Sequence, residues 1–245
     1  MPRKLPMVPY TSLSAAALEA LQSRDETTLF VALVCPWAHR TLWTVSKIDT
    51  PVRVLELSLD NMPTSYLRHF NSHGSVPFLL ANGRPMLDSV DIAKYLDAMF
   101  NNGHLAANDD RFGAAVVQRA EAVFDVAPTF AFLRNADASK KETLQRKMHA
   151  SLAQLETVYV EDAAAYRSRG PYLLGDRFSL AEILILPLLF RFNLIAKHYH
   201  DTEMLALHPV LAGALAAATA RPAFQRVTRE PEMYLRAFAK LRARH

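Results

Sequence analysis

All of the strand-like segments in this 245-residue chain lie within its first 90 residues, and this uneven distribution restricts the possible folds more than any other feature. Residues 29–34 form a short apolar run typical of a fully buried strand, and residues 37–47 follow with apolar side chains at helical spacing. Residues 52–57 form a second strand-like run. Beyond about residue 103 only helical patterns remain. The sequence therefore predicts a small α/β domain followed by a larger all-α domain.

The α/β part continues with a hairpin and a further helix. Two strand-like segments, residues 76–80 and 85–87, flank Asn82-Gly83, a pair favoured in tight hairpin turns. Residues 90–99 then return to helical spacing. The predicted order is a parallel βαβ unit followed by ββα, or βαβββα in all.

Composition changes mark the predicted boundaries. The first 26 residues contain several prolines, and we expect them either to pack on the fold or to stay loose. A polar stretch between residues 101 and 110 resembles a linker. The predicted organisation is an N-terminal extension over residues 1–26, an α/β domain over residues 27–103 and an all-α domain over residues 111–245.

The second domain contains a strong helix-start signal. Ser179 and Glu182 have the spacing of a capping box, in which each side chain bonds the other residue's backbone amide. The helix that follows is almost wholly apolar and contains Pro187, so we expect it at the buried centre of the domain. The predicted long helices span residues 112–135, 139–168 and 179–197.

Composition also excludes several classes of function. No stretch approaches the roughly 18 apolar residues of a membrane span, so we predict no membrane partner. The net charge is +4, and its densest cluster recurs at helical spacing, as expected for the solvated face of a terminal helix. We therefore predict no nucleic-acid partner. That cluster consists of Arg236, Lys240, Arg242 and Arg244.

Cys35 is the strongest candidate for chemistry. It follows the buried strand and precedes Pro36, a residue suited to the first helical turn because it has no N–H to leave unpaired. Helix N-terminal amides stabilise negative charge, so a cysteine at this position is favoured as a thiolate nucleophile. The alternative is a buried cysteine that acts as a small apolar residue. Because no second cysteine exists, an external thiol must resolve any mixed disulfide at Cys35.

The single cysteine also bears on location. One cysteine cannot form an intramolecular disulfide, which is typical of a reducing compartment. The first ten residues lack the apolar segment of a secretory signal. We therefore predict a cytoplasmic protein.

Four motifs follow one another along the chain: Cys35-Pro36-Trp37-Ala38, Gly74-Ser75-Val76-Pro77, Asp88-Ser89 and the capped helix at Ser179. Together they resemble the cytosolic glutathione transferases, over about residues 27–240. The cysteine, in place of a catalytic Tyr or Ser, makes the chain similar to omega-type members. The resemblance implies a thioredoxin-like βαβββα domain followed by a larger all-helical domain, with glutathione as co-substrate and a homodimer as assembly.

The resemblance also implies a glutathione site. Pro77 would be a cis proline that presents the backbone of Val76 to the cysteinyl unit of glutathione, like an added strand. Ser89, at the start of a helix, would receive the γ-glutamyl carboxylate, and Asp88 would pair with the ammonium group. Ser89 is also a candidate for an ordinary helix cap, and both roles can hold at once. Pro36 and Trp37 complete the predicted glutathione-binding set.

One position departs from the family pattern. Asp60 stands where omega-type members usually carry a lysine that pairs with the glycyl carboxylate of glutathione. A carboxylate repels another carboxylate. Either Arg68 or His73 reaches the glycyl end instead, or the ligand is a glutathione conjugate whose glycine is amidated.

The histidines support no metal site. His39 lies one helical turn after Cys35 and either faces the thiolate or occupies a surface or interdomain position. His198 and His200 have no partner at metal-ligand spacing, and we predict no metal.

The predicted activity is thiol–disulfide exchange through Cys35, such as deglutathionylation or dehydroascorbate reduction. The acceptor would be a small hydrophobic or disulfide compound, in a pocket walled by Trp37 and by Phe130, Phe132 and Tyr166 of the second domain. Two alternatives stay open. The first is conjugation of glutathione to electrophiles, and the second is a non-catalytic binding or regulatory module with the same fold.

Overall fold

The chain folds as two compact units in the computed structural model, which describes residues 2–23 and 26–243. The first unit consists of Met1–Asn102 together with Pro222–Thr228, and the second of Gly103–Arg221 together with Arg229–His245. The predicted fold class is confirmed, because the first unit contains the sheet and the second is built of helices. The units differ from the predicted segments, since residues before 27 belong to the first unit and a short late segment rejoins it.

The first unit contains five strands and four helices before residue 102, among its described residues. The helices are α1 (Ala15–Ser23), α2 (Pro36–Ile48), α3 (Thr64–His69) and α4 (Ser89–Asn101). The strands are β1 (Val8–Pro9), β2 (Thr27–Val31), β3 (Arg53–Glu56), β4 (Phe78–Ala81) and β5 (Arg84–Met86).

The sheet has the strand order β1-β3-β2-β4-β5. β1 and β2 both run parallel to β3, whereas β4 is antiparallel to its neighbours β2 and β5. The turn between β4 and β5 is formed by Asn82 and Gly83, with φ angles of 50° and 73°, the left-handed values that the predicted hairpin requires. Edge strand β1 was not predicted. It pairs Val8 with Leu55, so part of the expected N-terminal extension belongs to the sheet.

Aromatic side chains fill the core beside β2. The ring of Phe30 lies 5.5 Å from that of Tyr66, 5.4 Å from that of Phe78 and 4.9 Å from that of Phe70. Phe30 and Tyr66 are completely buried. This cluster connects β2 and β4 to α3, and so sets the position of the loop that precedes β4.

A late helix returns to the first unit. α10 (Pro222–Val227) packs on α2, where the ring of Phe224 lies 4.7 Å from that of Trp43. Both aromatic residues are buried. This apolar contact explains why the segment after residue 221 leaves the predicted all-α domain.

The N-terminal segment holds α10 from another side. The Lys4 ammonium donates to the carbonyl oxygens of Gln225 (2.9 Å) and Thr228 (2.8 Å), and the Leu5 amide donates to that of Arg226 (3.0 Å). A lysine at a helix C-terminus satisfies carbonyls that have no partner within the helix. The described part of the segment therefore packs on the fold. Residues Met1, Arg24 and Asp25 of the predicted extension lie outside the described residues.

The second unit is helical, and two of its helices differ from the prediction. Residues 112–135 form two helices instead of one, because Pro128 begins a new helical turn and the Asp125 carboxylate accepts from the Ala127 amide there (2.9 Å). The helix expected to reach residue 168 is α-helical only as far as Thr157. A short π-helical segment, Val158–Asp162, follows it directly. The helices are α5 (Arg111–Val123), α6 (Ala127–Arg134), α7 (Lys141–Thr157), α8 (Leu180–His200), α9 (Pro209–Thr219) and α11 (Pro231–Arg242).

The predicted capping box at the start of α8 is present. The Glu182 carboxylate accepts from the Ser179 amide (2.8 Å) and hydroxyl (2.7 Å), while its other oxygen accepts from the Leu173 amide (2.9 Å) and the Tyr159 hydroxyl (3.2 Å). α8 is buried along most of its length, as predicted, and continues through Pro187 to His200. Burial raises the pKa of Glu182, against the hydrogen bonds from Leu173 and Ser179, which lower it. Burial also raises the pKa of Tyr159, and the charge of Glu182 and the hydrogen bond to it raise that pKa further.

The predicted basic face lies on α11, which contains Arg236, Lys240 and Arg242. The Arg242 guanidinium lies 5.4 Å from the ring centroid of Tyr199. Arg244 lies outside the described residues.

Candidate active site

Cys35 occupies the N-cap position of α2. Its backbone is extended (φ −77°, ψ 123°), its amide donates to the Ala32 carbonyl (2.9 Å), and its Sγ accepts from the Ala38 amide at 3.5 Å. Pro36 is the first residue of the helix, as predicted. The sulfur therefore lies at the end of α2 where backbone amides stabilise negative charge.

The loop before β4 meets this cysteine. The Val76–Pro77 peptide bond is cis, the geometry that the family resemblance implied. The Cys35 thiol donates to the carbonyl oxygen of Val76 at 3.3 Å, and both residues are buried. The structure thus brings two of the predicted site residues together through a side chain and a backbone group.

Two residues that the sequence analysis missed hold this loop in place. The Tyr66 hydroxyl donates to the Ser75 carbonyl at 2.8 Å, and the Asn71 side-chain amide donates to the same carbonyl at 2.9 Å and to the Ser75 hydroxyl at 3.0 Å. Burial raises the pKa of Tyr66 to about 12, despite the opposing hydrogen bond from Asn71, so the phenol stays protonated and keeps its donor. Tyr66 lies on α3 and Asn71 just after it, a region in which no element was predicted.

Gly74 allows the same loop to turn. Its φ angle is +65°, in the left-handed region that residues with a side chain rarely adopt. A Cβ atom there would also lie 3.0 Å from Cδ2 of Leu67. The backbone conformation of this loop therefore explains why a glycine stands at position 74 of the motif.

The start of α4 corrects one predicted role. Asp88, not Ser89, is the N-cap, because its Oδ1 accepts from the amides of Val90 (2.7 Å) and Asp91 (3.2 Å). Ser89 is the first residue of the helix and is buried, whereas Asp88 is exposed. The prediction that Ser89 caps α4 is thus wrong. The first amides of α4 donate to Asp88 and not to the Ser89 hydroxyl.

Ser89 is instead contacted by Arg40 of α2, another residue that the sequence analysis did not select. The Arg40 Nη1 donates to the Ser89 Oγ at 3.1 Å. Its Cζ lies 4.7 Å from the ring centroid of Trp37, a cation–π distance. Arg40 is buried and Trp37 half-buried, so the predicted residues Trp37 and Ser89 are linked through a buried cation.

His39 does not occupy the surface position that was one of its predicted alternatives. It is 1% exposed, and its ring lies 5.0 Å from that of Phe224 on α10. The side chain therefore contributes to the packing of α10 on α2.

The three aromatic residues predicted for an acceptor pocket make contacts within the second unit. The Phe130 ring lies 4.9 Å from that of Phe192, and the buried Phe132 ring lies 4.6 Å from that of His200. The Tyr166 hydroxyl donates to the Asp110 carboxylate. These contacts show packing roles for all three, and a pocket role for them stays a prediction.

The region predicted to meet the glycyl end of glutathione is open to solvent. Asp60, Arg68 and His73 are all exposed. Asp60 lies between β3 and α3, and Arg68 lies in the last turn of α3. All three alternatives for the glycyl end therefore stay predictions: a contact from Arg68, a contact from His73, or an amidated ligand.

The described part of the chain has neither a metal-binding cluster nor a membrane-spanning helix. Residues 2–23 and 26–243 contain no cluster of three or more His, Cys, Asp or Glu side chains arranged to hold a metal ion. No helix within the same residues is long and apolar enough to span a bilayer.

Sequence comparisons match both parts of the chain to one family. The family model for the glutathione S-transferase N-terminal domain matches residues 29–104, and that for the C-terminal domain matches residues 122–227. Glutathione S-transferase L2, chloroplastic, of Arabidopsis thaliana is 26% identical over 198 residues, which are 79% of this chain and 63% of the relative. The chain thus spans less than two thirds of that protein. Glutathione S-transferase L3 of Arabidopsis thaliana is 24% identical, with 87% of each protein covered.

Solved structures agree with the fold. The trimeric glutathione transferase TDR1 of Leishmania superposes with a TM-score of 0.78 at 21% identity, over 89% of this chain and 48% of that one. Glutathione transferase Omega 3C of Trametes versicolor gives 0.68 at 21% identity, over 94% and 97%. Dehydroascorbate reductase of Chlamydomonas reinhardtii gives 0.69 at 21% identity, over 88% and 98%. At these identities the similarity establishes the fold.

Proposed function

This chain belongs to the glutathione transferase superfamily, and from that premise we propose that it is a glutathione-dependent thiol transferase that acts by thiol–disulfide exchange through Cys35. The observation that carries the proposal is the position of the Cys35 sulfur. It caps α2 and lies 3.3 Å from the carbonyl oxygen of Val76, in the cis-proline loop. A cysteine there can attack a disulfide whose glutathionyl half pairs with that loop.

The residues around Cys35 suit glutathione. In the thiol form the Cys35 proton is directed at the Val76 carbonyl. Loss of that proton frees the carbonyl to accept from the cysteinyl amide of glutathione, as an added strand would. Asp88 uses Oδ1 as a helix cap, and we assign its Oδ2 to the glutamyl ammonium group. Ser89, at the first turn of α4, takes the γ-glutamyl carboxylate. Pro36 and Trp37 line the same end of α2.

The reaction then has two displacements. The Cys35 thiolate attacks the glutathionyl sulfur of a mixed disulfide, so that a Cys35–glutathione disulfide forms and the substrate leaves as a thiolate, which takes up a proton. The thiolate of a second glutathione attacks the glutathionyl sulfur on Cys35. Oxidised glutathione leaves, and the Cys35 thiolate is restored. The second glutathione is necessary because Cys35 is the only cysteine of the chain.

A cysteine favours this chemistry over conjugation. If glutathione were to attack an electrophile, the Cys35 thiolate would compete with it as a nucleophile at the same place. Conjugation is nevertheless the second candidate, because the similar Arabidopsis proteins are named glutathione S-transferases. For the acceptor we propose a small hydrophobic or disulfide compound. Because the Asp60 carboxylate would repel the glycyl carboxylate of glutathione, an amidated glutathione conjugate is the alternative ligand.

Intact-mass measurement tests the proposal. Purified protein is incubated with oxidised glutathione, beside a Cys35→Ser control. We expect the wild-type protein to gain one glutathionyl unit that reduced glutathione removes, and the control to gain none. No adduct on a Cys35 that iodoacetamide still alkylates would contradict thiol transfer. The non-catalytic module or an amidated ligand would then be favoured, and Asp60 would be the next residue to change.

Location and assembly are proposals that follow from the same family. Glutathione in reduced form must be present for the second displacement, and we propose the cytoplasm. We propose a homodimer, for which sedimentation equilibrium is the test. A trimer, the assembly of Leishmania TDR1, would contradict it.

A further inference from the structure

A buried arginine next to the proposed glutathione site has no role in the scheme above. Arg40 is 6% exposed, and its Nη1 donates to the Oγ of Ser89 at 3.1 Å. A guanidinium keeps its charge at any physiological pH, and burying it is unfavourable unless the charge is stabilised. Here its Cζ lies 4.7 Å from the ring centroid of Trp37. The buried cation therefore contacts two residues of the proposed site, Trp37 and Ser89.

The contact determines what the Ser89 hydroxyl can do. A guanidinium has only donors, so the Ser89 oxygen must be the acceptor in this bond. The hydroxyl proton then points away from Arg40. A hydroxyl that accepts from a cation is polarised and becomes a stronger donor itself. Ser89 is thereby set to donate to an anionic group.

The start of α4 leaves the Ser89 hydroxyl as a donor for an anion. Ser89 is the first residue of α4, a helix of 13 residues whose N-terminal end carries partial positive charge. The Asp88 carboxylate offsets part of that charge, and its Oδ1 occupies the amides of Val90 and Asp91. A ligand anion at this end therefore depends on the Ser89 hydroxyl, held by Arg40, and not on those two amides.

We propose that Arg40 is a positioning residue that makes the site selective for ligands with a carboxylate on the γ-glutamyl carbon, acting through the Ser89 hydroxyl. This inference rests on the proposed function, because it takes the α4 end of the site as the γ-glutamyl end. The competing explanation is purely structural: Arg40 ties α2 to α4 and contributes nothing to ligand choice. The two explanations differ in which ligands should be affected.

Two ligands that cannot react with Cys35 separate them. One is S-methylglutathione, and the other is the same molecule with a γ-aminobutyryl group in place of γ-glutamyl, which keeps the ammonium and lacks the carboxylate. Calorimetry gives the ratio of their dissociation constants for each variant. We expect Arg40→Met to reduce the wild-type preference for the carboxylate by about tenfold, the worth of a charge-assisted hydrogen bond. Arg40→Lys, which keeps a charged donor, should retain most of it.

Two further variants show whether the effect passes through Ser89. Ser89→Ala should lose the same preference, and Arg40→Met combined with Ser89→Ala should lose no more than either single change. Arg191→Met is the matched control, because Arg191 is also a buried arginine over an aromatic ring, 3.9 Å from the centroid of Tyr234 in the second unit. It should leave the preference unchanged, even where its melting temperature falls as much as that of Arg40→Met.

The outcomes are distinct. If Arg40→Met weakens both ligands by the same factor, or if the wild-type protein has no preference for the carboxylate, the inference is overturned. Additive losses in the double variant overturn the route through Ser89. A wild-type protein that prefers the carboxylate ligand but forms no Cys35 adduct contradicts the proposed thiol transfer and leaves the role of Arg40 standing.

Discussion

Both α2 and α8 begin at an N-cap residue whose side chain accepts from a backbone amide, but the accepting atom is a sulfur at α2 and a hydroxyl oxygen at α8. At α2, the Cys35 sulfur accepts from the Ala38 amide at 3.5 Å, and the thiol donates to the Val76 carbonyl on a separate loop. At α8, the Ser179 hydroxyl accepts from the Ala181 amide at 3.2 Å and donates to Glu182, which receives four bonds in all. Both caps are buried.

This difference separates a reactive helix end from a structural one. The bonds at α8 are directional and leave little capacity for a ligand, so that end can only stabilise the fold. The amide-to-sulfur bond at α2 is weaker than the amide-to-oxygen bonds at α8, because a thiol sulfur is a weak acceptor. A negative charge on the sulfur would be stabilised by the helix N-terminus and would strengthen that bond. The reactivity of the α2 end therefore depends on the atom that caps it.

The largest effect is expected at the α2 end. Cys35→Ser should lower the rate of glutathionyl transfer from a glutathionylated peptide by at least about 10³-fold, because the nucleophile is lost. Serine is a good N-cap, so the free energy of unfolding should change by less than about 1 kcal/mol. Stopped-flow transfer assays and urea denaturation measure the two quantities. Retained activity would mean that the thiolate of bound glutathione does the chemistry, as in conjugation.

The reverse exchange tests whether the helix end or the residue type decides reactivity. In the Cys35→Ser background, Ser179→Cys moves the single thiol to the α8 end. We expect iodoacetamide to alkylate it about 100-fold more slowly than Cys35, because it is buried beside the Glu182 carboxylate, which disfavours a thiolate. Equal rates would remove the proposed distinction between the two ends.

The next effect is on stability at the α8 end. Glu182→Gln replaces two acceptor oxygens with one and places an NH₂ group against groups that donate. The free energy of unfolding should fall by about 3 kcal/mol, since at least one buried amide loses its partner. Urea denaturation followed by far-UV circular dichroism measures this loss. The alkylation rate of native Cys35 should stay within about twofold, and a larger change would show that the two ends are coupled.

A smaller effect is expected from the support of the cis-proline loop. Tyr66→Phe removes the donor to the Ser75 carbonyl, which Asn71 still contacts. We expect the KM for glutathione to rise about fivefold, the equivalent of one neutral hydrogen bond, while kcat stays within about twofold. Asn71→Ser should have a similar effect. A fall in kcat with an unchanged KM would show that the loop acts on the Cys35 thiolate and not on binding.

Local patterns predicted the parts of the structure that depend on neighbouring residues. The Asn82-Gly83 turn, the Ser179–Glu182 capping box and the cysteine at the start of α2 all depend on residues within a few positions of one another. Dihedral preferences and helix-end hydrogen bonds act over that distance, so a single sequence contains the whole signal. The agreement at Cys35 has the same origin.

Contacts between distant residues were not predictable in this way. Arg40 meets Ser89 across 49 positions, and β1 has only two residues, whose partner strand begins at Arg53. Phe224 packs on Trp43 after the chain has passed through most of the second unit. In each case the neighbouring residues in the sequence do not indicate the role, because a partner that is distant in the sequence determines it.

A third helix end, that of α9, is capped by a side chain from a different helix. Its N-cap His208 provides no cap bond of its own. Instead Glu156 of α7 accepts from the Val210 amide at 2.8 Å, its other oxygen lies 3.2 Å from the His208 Nδ1, and the His208 Nε2 lies 3.1 Å from the His149 Nδ1. A carboxylate accepts, so the His208 Nδ1 donates to Glu156.

The smallest expected effect is the pH dependence of this end. Burial, and then the charge of His208, lower the pKa of His149 below its ordinary value of 6.5. The folded state thus favours neutral His149, so its contribution to stability is present above pH 6.5 and is lost as the pH falls through the lowered pKa. Hydrogen exchange at the Val210 and Leu211 amides should accelerate over that range, relative to the intrinsic rate. His149→Gln should flatten this dependence, and an unchanged slope would contradict the assignment of the pH effect to His149.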